Sequence, residues 1–500
     1  MNGWTALEGQ DAYSGSFQIP SPKGVYQAEG DTNVNAEYAY RAENMRTERG
    51  LLASAYGTSR AFPSVGVPVE TLTRFHRRTR PDDPEVFVAC GGGSIYTYTM
   101  GSEGWVERGS GFIASRWSCV TYEAVEDGQT VDILIMSNPH DGMAVIFGSD
   151  LRVERKTLTI GNDYAAVKFA VLSRHAERIW GTGAPGYPDS IFYSKPYDPL
   201  DWTAVEDMPE MGGGMIQQPT WDGDEFIALE PFGGYLLAVK RNTLFEIRGT
   251  DPSSFTITQA YGTDGPVQGS TVCVDRLRMF YLSQSGLGMY DGASLQLLAK
   301  DALYETMRMR MEGRQENATA CVCNHVLYLA LCVKEHENDV LMENNAVVEF
   351  DIERGTFMIR KGVRVKDFYA LSGVVYFTQA DSPYEILRYN DPSSGSYMGK
   401  PMACLWETPW LDLSKAHVKR DFVLRFTAEA DEPGLPLELT IITDRREKKK
   451  TILLRKGRED YRVKIQNAGV RMKLRIASGR RSAGWRIFGG VQVEYSVDEA

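Results

Sequence analysis

The chain is short of the residues that most often carry chemistry, with six histidines and seven cysteines among its 500 residues. It has no apolar run near the ~18 residues of a membrane span, so no helical span is expected. The start, Met1-Asn2-Gly3-Trp4-Thr5, lacks a basic flank followed by an apolar core, and no secretory signal is read there. The cysteines (Cys90, Cys119, Cys273, Cys321, Cys323, Cys332, Cys404) are odd in number and lie inside apolar runs. They read as reduced core residues of a protein assembled in a cytoplasm.

Catalytic and cofactor signatures are also missing. Gly91-Gly92-Gly93-Ser94 lacks the Gly-Lys-Ser/Thr ending of a phosphate cradle and runs into a strand, which makes it a hairpin. There is no Gly-x-Ser-x-Gly elbow. Cys321-x-Cys323-x-His325 puts two thiols on one strand face with no second ligand pair, so core packing is the better reading than zinc. Asp222-Gly223-Asp224-Glu225 lacks the rest of a calcium loop and reads as a turn. Asn317-Ala318-Thr319 matches a glycosylation acceptor but has little weight without a secretory signal. Many carboxylate pairs are conceivable among 66 acidic residues, yet spacing singles out none for glycoside cleavage. The expectation is a protein with no enzymatic activity, no cofactor and no metal.

What is present is apolar content of 43%, 48 glycines and 25 tyrosines, with abundant Val, Ile, Thr and Phe. This favours strands and turns, and the length allows two to four domains. The net charge of −11 is unevenly spread. Residues 401–500 hold 20 Lys and Arg against 14 Asp and Glu, whereas the preceding 400 carry 35 basic and 52 acidic side chains. A surface at −17 repels nucleic acid and excludes sequence-specific DNA binding as its main task.

The fold class expected is all-β. Residues 1–65 read as an N-terminal extended arm. Residues 66–400 show a loose repeat of about 40 to 50 residues, short apolar runs parted by turns, as in propeller blades. Val86 to Cys90, Ile95 to Tyr98, Tyr235 to Val239 and Val374 to Phe377 are examples of the runs. About seven blades are expected, with six to eight allowed. The last unit shows three strands, and the segment near 51–55, Leu51 to Ala55, is expected to close the ring from the other end of the chain. Ala302 to Gly313 fits a helix or a strand equally. Residues 401–500 alternate with period two over seven short runs, the pattern of an antiparallel β-sandwich with a basic polar face. Its charge run, Arg445, Arg446, Lys448, Lys449 and Lys450, is the candidate assembly interface, facing an acidic partner.

Three groups of residues carry a resemblance. They are Asn44-Met45 with Gly50-Leu51-Leu52 and Tyr56-Gly57; Glu177 to Gly183 leading to Asp189 to Ser194 and Asp198-Pro199-Leu200-Asp201-Trp202; and Trp406-Glu407-Thr408 with Leu411-Asp412-Leu413 and His417 to Arg420. In this order they resemble the β-propeller nozzle and tail-stabilisation proteins of tailed bacteriophages. The resemblance implies a virion structural protein, part of the phage tail or head-to-tail region, that extends the DNA channel and retains the genome until ejection. The implied partners are copies of the same chain in a ring such as a hexamer, the portal, adaptor and tail proteins, and DNA passing through the lumen without sequence-specific binding. The alternative is a glycan-binding or glycan-cleaving propeller at the tail tip, with Trp105, Tyr187, Tyr197 and Trp202 exposed to stack on sugars.

Overall fold

The computed structural model describes residues 14–28, 35–48, 50–158, 160, 167–260, 264–336, 343–412, 418–481 and 484–497. Leu413 and His417 of the resemblance, and Met1 to Thr5, lie outside them.

Among the described residues the apolar runs form five separate four-stranded antiparallel sheets and two further four-stranded units that a larger sheet joins to the C-terminal strands, and together these seven make a seven-bladed β-propeller. Six blades are contiguous, spanning 69–109, 118–156, 171–217, 226–260, 273–298 and 319–361. The seventh takes three strands from 365–391 and its outer strand from Gly57–Arg60, which pairs antiparallel with Ile386–Asp391. At six of the seven joints the first strands of neighbouring blades lie against each other, so the first strands line the axis. Single blades bury too little apolar surface to stand alone, and the core lies between them. Blades one and two share Val88, Cys90, Leu134 and Met136; blades seven and one share Phe87, Tyr98, Tyr369 and Tyr376. Hydroxyls reinforce two joints: Thr71 Oγ1 accepts the Trp117 N–H at 2.8 Å, and Ser118 Oγ accepts the Leu172 N–H at 2.9 Å.

The closing strand is therefore Gly57–Arg60, which corrects the expectation placed at 51–55. Gly50, at φ 82°, turns the chain back, so that Leu51–Ser54 pairs locally with Met45–Glu48. The other edge of Leu51–Ser54 is taken by Trp485–Val497, at the far end of the chain. Gly57 suits the closing position because a Cβ there would collide with the backbone of Ser396.

The C-terminal part is a two-layer sandwich. One sheet runs Lys400–Glu407, Arg471–Arg481, Leu435–Thr443, Glu447–Leu454. The other combines Lys419–Ala430, Gly457–Gly469 and Trp485–Val497 with Ser14–Ile19, Met45–Glu48 and Leu51–Ser54 from the N-terminal arm. Period-two alternation points Leu437, Leu439, Ile441, Leu474 and Ile476 of one layer at Leu424, Phe426, Ile487 and Val493 of the other. The arm is extended, and it is built into both domains. Arg41–Glu43 bridges the outer strand of blade six, Thr356–Lys361, to Lys400–Glu407 of the sandwich. Residues 302–313, open between helix and strand, hold one short helix, Tyr304–Arg308.

Candidate interaction surface and the propeller axis

The Glu447–Leu454 strand ends its sheet, and among the described residues it pairs as a strand with Leu435–Thr443 alone. Its residues from Glu447 to Thr451 are exposed on both faces; Leu453 is 64% exposed and only Leu454 is buried. Ile452 and Leu454 pack on the core, while the lysines keep their ammonium heads in water. The turn before it is fastened: Thr443 Oγ1 accepts the Arg446 N–H at 3.2 Å, and Asp444 Oδ1 accepts the Val470 N–H at 2.7 Å. The predicted cations divide by role. Arg446 donates Nε to Asn467 Oδ1 at 2.9 Å, Lys449 pairs with Glu438 at 3.1 Å, and Lys450 donates to the Lys464 carbonyl at 3.3 Å. Lys448 makes no side-chain hydrogen bond or ion pair among the described residues. Arg445 is exposed at the turn beside Asp444. The structure brings all five together on one edge, with Arg446 partly committed to the fold.

The axis carries the other concentration of charge. A cavity of 590 Å³ at its mouth is lined by Arg116, His140, Glu225, Glu230, Gln268 and Ser270. Arg116, from the connection between blades one and two, reaches Asp367 on the inner strand of blade seven at 2.9 Å. Lys366 and Glu70 meet at 3.5 Å. The volume is that of a small-ligand pocket. Burial pushes the Glu230 carboxyl up to about 7. Burial also raises the Asp367 carboxyl, against the lowering field of Arg116.

Glu230 therefore makes stability pH-dependent. Below the ordinary carboxylate pKa both folded and unfolded chains are protonated there, and the fold bears no penalty. Between the ordinary carboxylate pKa and about 7 the unfolded chain ionises there while the folded chain keeps its proton, so stability falls across that window and levels off above it. Glu230→Gln is expected to stabilise the protein by on the order of 2–3 kcal/mol at pH 8 and by little at pH 4. Thermal melts of the two proteins across that range check it, and parallel pH profiles would count against it.

Other sequence candidates are taken up by the fold. Cys321 and Cys323 are buried, and burial raises both thiols; His325 instead faces Asp275 at 3.0 Å and Arg276 at 2.9 Å. At Asp222-Gly223-Asp224 a buried ammonium stands where a cation would: Lys240 Nζ donates to the Asp224 carbonyl at 2.7 Å and to Thr220 Oγ1 at 3.3 Å. The proposed sugar platform does not form. Trp202 is wholly buried and stacked on Phe169 at 5.0 Å, Trp105 packs on Tyr98 at 5.4 Å, and Tyr187 meets Phe192 edge-on at 5.7 Å. Only Tyr197 of the four is exposed, at 72%. The apolar packing partners of these rings are distant in sequence or on other strands, and the rings bury because water is the worse environment.

The residues of the resemblance are structural joints. Buried Arg178 donates to the carbonyls of Ser194, Gly212 and Glu210 at 2.7, 2.6 and 2.5 Å, pinning the long loop 194–213. Asn44, at φ 55°, donates to the Ala403 carbonyl at 2.7 Å and accepts from the Lys361 N–H at 2.9 Å, tying arm, blade six and sandwich together. Glu407, buried, pairs with Arg475 at 2.6 Å and Lys473 at 3.5 Å.

What sequence reasoning missed is Trp221, 98% exposed on the connection from blade three to blade four. Its place inside an Asp-Gly turn was the available signal, since turn tips face water.

No protein-family profile and no curated protein matches the chain. Among solved structures it is similar to the Neurospora crassa Pan2 WD40 domain, with TM-score 0.35, 9% identity, and coverage of 68% of this chain and 95% of that one. It is also similar to a chain of the mitotic checkpoint complex, with TM-score 0.35, 10% identity, and coverage of 66% and 96%. The propeller assignment rests on the seven four-stranded units themselves.

Proposed function

We propose that this protein is a structural subunit of a tailed bacteriophage particle, a ring-forming nozzle or head-to-tail component with no catalytic role. Its copies would surround the DNA path, presenting an acidic wall past which the duplex slides with few counterion-releasing contacts. In this reading the lumen belongs to the ring of copies.

The observation that carries the reading is the exposed basic edge strand on a chain whose remainder is acidic. Edge strands are usually blunted against pairing, and lysines are the common device. Two copies of Glu447–Leu454 laid against each other would oppose Lys448, Lys449 and Lys450 with like charge. An acidic surface on the next copy has no such cost, and a contact between two different surfaces repeats around a ring. The strand-sharing through Arg41–Glu43 supports this by holding the basic sandwich and the acidic propeller in one body.

The triple reversal Lys448→Glu, Lys449→Glu, Lys450→Glu is expected to leave the fold intact, since all three side chains are exposed, and to convert rings to monomers. Light scattering after size exclusion and negative-stain imaging, alone and with a portal complex, read the outcome. Wild-type assembly by the reversed chain would overturn the reading. Assembly through these charges should also weaken as salt is raised.

A further inference from the structure

Trp221, 98% exposed, stands on a turn tied by hydrogen bonds. The Gly223 N–H donates to the Thr220 carbonyl at 3.1 Å, and the Asp224 N–H donates to Thr220 Oγ1 at 3.2 Å and to Asp222 Oδ1 at 3.3 Å. From the next blade the Asn242 N–H donates to Asp224 Oδ2 at 2.7 Å, and its Nδ2 to Asp222 Oδ2 at 3.2 Å. Beneath lies the buried ammonium of Lys240. An indole left in water forgoes the burial that makes tryptophan the commonest anchor of protein interfaces. Fastening its turn reduces the ordering cost on docking.

The surroundings say what it docks on. The turn's hydrogen-bonding groups are spent on one another, which leaves few to read sugar hydroxyls. Asp222 is exposed and has no ion pair among the described residues, and hydrogen bonds, the Thr220 hydroxyl's foremost, hold its carboxyl below the usual range. A matching surface is apolar with a cation beside it. The outward face of Glu447–Leu454 has that composition: Leu453 is 64% exposed, and Lys449, four residues earlier on the same face, has its side chain 66% exposed.

We propose that the Trp221 turn docks on the outward face of the Glu447–Leu454 strand of a second copy, the indole over Leu453 and Asp222 against Lys449. This deepens the ring reading and rests on it. The contact joins two different surfaces, as a closing ring requires.

The test is sedimentation of the full chain over a range of concentrations. Trp221→Ala should leave the circular dichroism and melting temperature unchanged and weaken self-association by at least about tenfold. Asp222→Lys and Lys449→Glu should each weaken it, and the two together should restore it, because the swapped charges attract again. If Trp221→Ala assembles normally while the triple lysine reversal does not, the docking falls and the ring reading stands. A wild-type chain that stays monomeric at every concentration overturns both. Loss of binding to a glycan or another protein with unchanged self-association assigns the indole elsewhere and also overturns the docking.

Discussion

A chain that begins at residue 61 is expected not to fold. The segment removed contains Ser14–Ile19, Arg41–Glu43, Met45–Glu48, Leu51–Ser54 and Gly57–Arg60, strands of the sandwich, the bridge and the seventh blade. It also supplies Ile19, Val25, Ala42, Met45 and Leu52 to the largest core cluster, all about fully buried. At roughly 1.5–3 kcal/mol for each large apolar side chain, their loss approaches the 5–15 kcal/mol by which a typical domain is stable. The truncation also bares the edges of Ile386–Asp391 and Trp485–Val497, and bare edges aggregate. The expected observation is insoluble protein, or soluble protein with no cooperative melting transition. Supplying residues 1–60 as a separate chain alongside 61–500 should restore a folded complex. A cooperative transition in the truncated chain alone would mean that the arm merely decorates a self-sufficient propeller.

The second large effect is expected at Arg360. Its guanidinium is 1% exposed and holds three elements: Nε donates to Glu349 at 2.9 Å, Nη1 to the Tyr56 carbonyl at 2.8 Å, and Nη2 to Asn390 Oδ1 at 2.6 Å. The Tyr389 hydroxyl donates to the same carboxylate at 2.8 Å. Burial works against the charge, but Glu349 and the surrounding tyrosines outweigh it, so the guanidinium stays protonated. Arg360→Leu strands Glu349 and frees the Tyr56 carbonyl beside the closing strand, at a cost of about 3–5 kcal/mol. Arg360→Leu with Glu349→Leu should recover much of that loss, because an apolar pair avoids the desolvation of two ions. Chemical denaturation of wild type, the single variants and the double variant gives the coupling; a single variant within about 1 kcal/mol of wild type would show that the network contributes little.

The blades were legible because their signal is local. Val86 to Cys90 became Val86–Gly91, and Tyr235 to Val239 became Tyr235–Lys240, since an apolar run between turn residues has few other uses. That a strand from the other end completes the seventh blade was also legible, from the count of three. Which strand was not. Leu51 to Ala55 is the more apolar choice and Gly57–Arg60 the weaker, but Leu51–Ser54 is claimed by its own hairpin and by Trp485–Val497. The basic run at 445–450 was legible as a candidate surface. The presentation of Leu453 on it depends on which face of the strand turns outward, and that is set by its register with Leu435–Thr443. Trp105, Tyr187 and Trp202 were misplaced for a related reason: composition cannot tell an aromatic that caps a core from one that faces water.

The sequence by itself determined the strand content, the blade repeat, the change to a sandwich near residue 400 and the asymmetry of charge, because periodicity and composition act within a few residues. Only the tertiary structure decided which strands pair across hundreds of residues, that the arm belongs to both domains, and that Arg178, Asn44 and Arg360 are buried joints. A strand edge offers nearly the same backbone hydrogen bonds to any partner, so pairing is chosen by which arrangement buries the most apolar surface while satisfying every buried charge, and that balance exists only in the assembled fold.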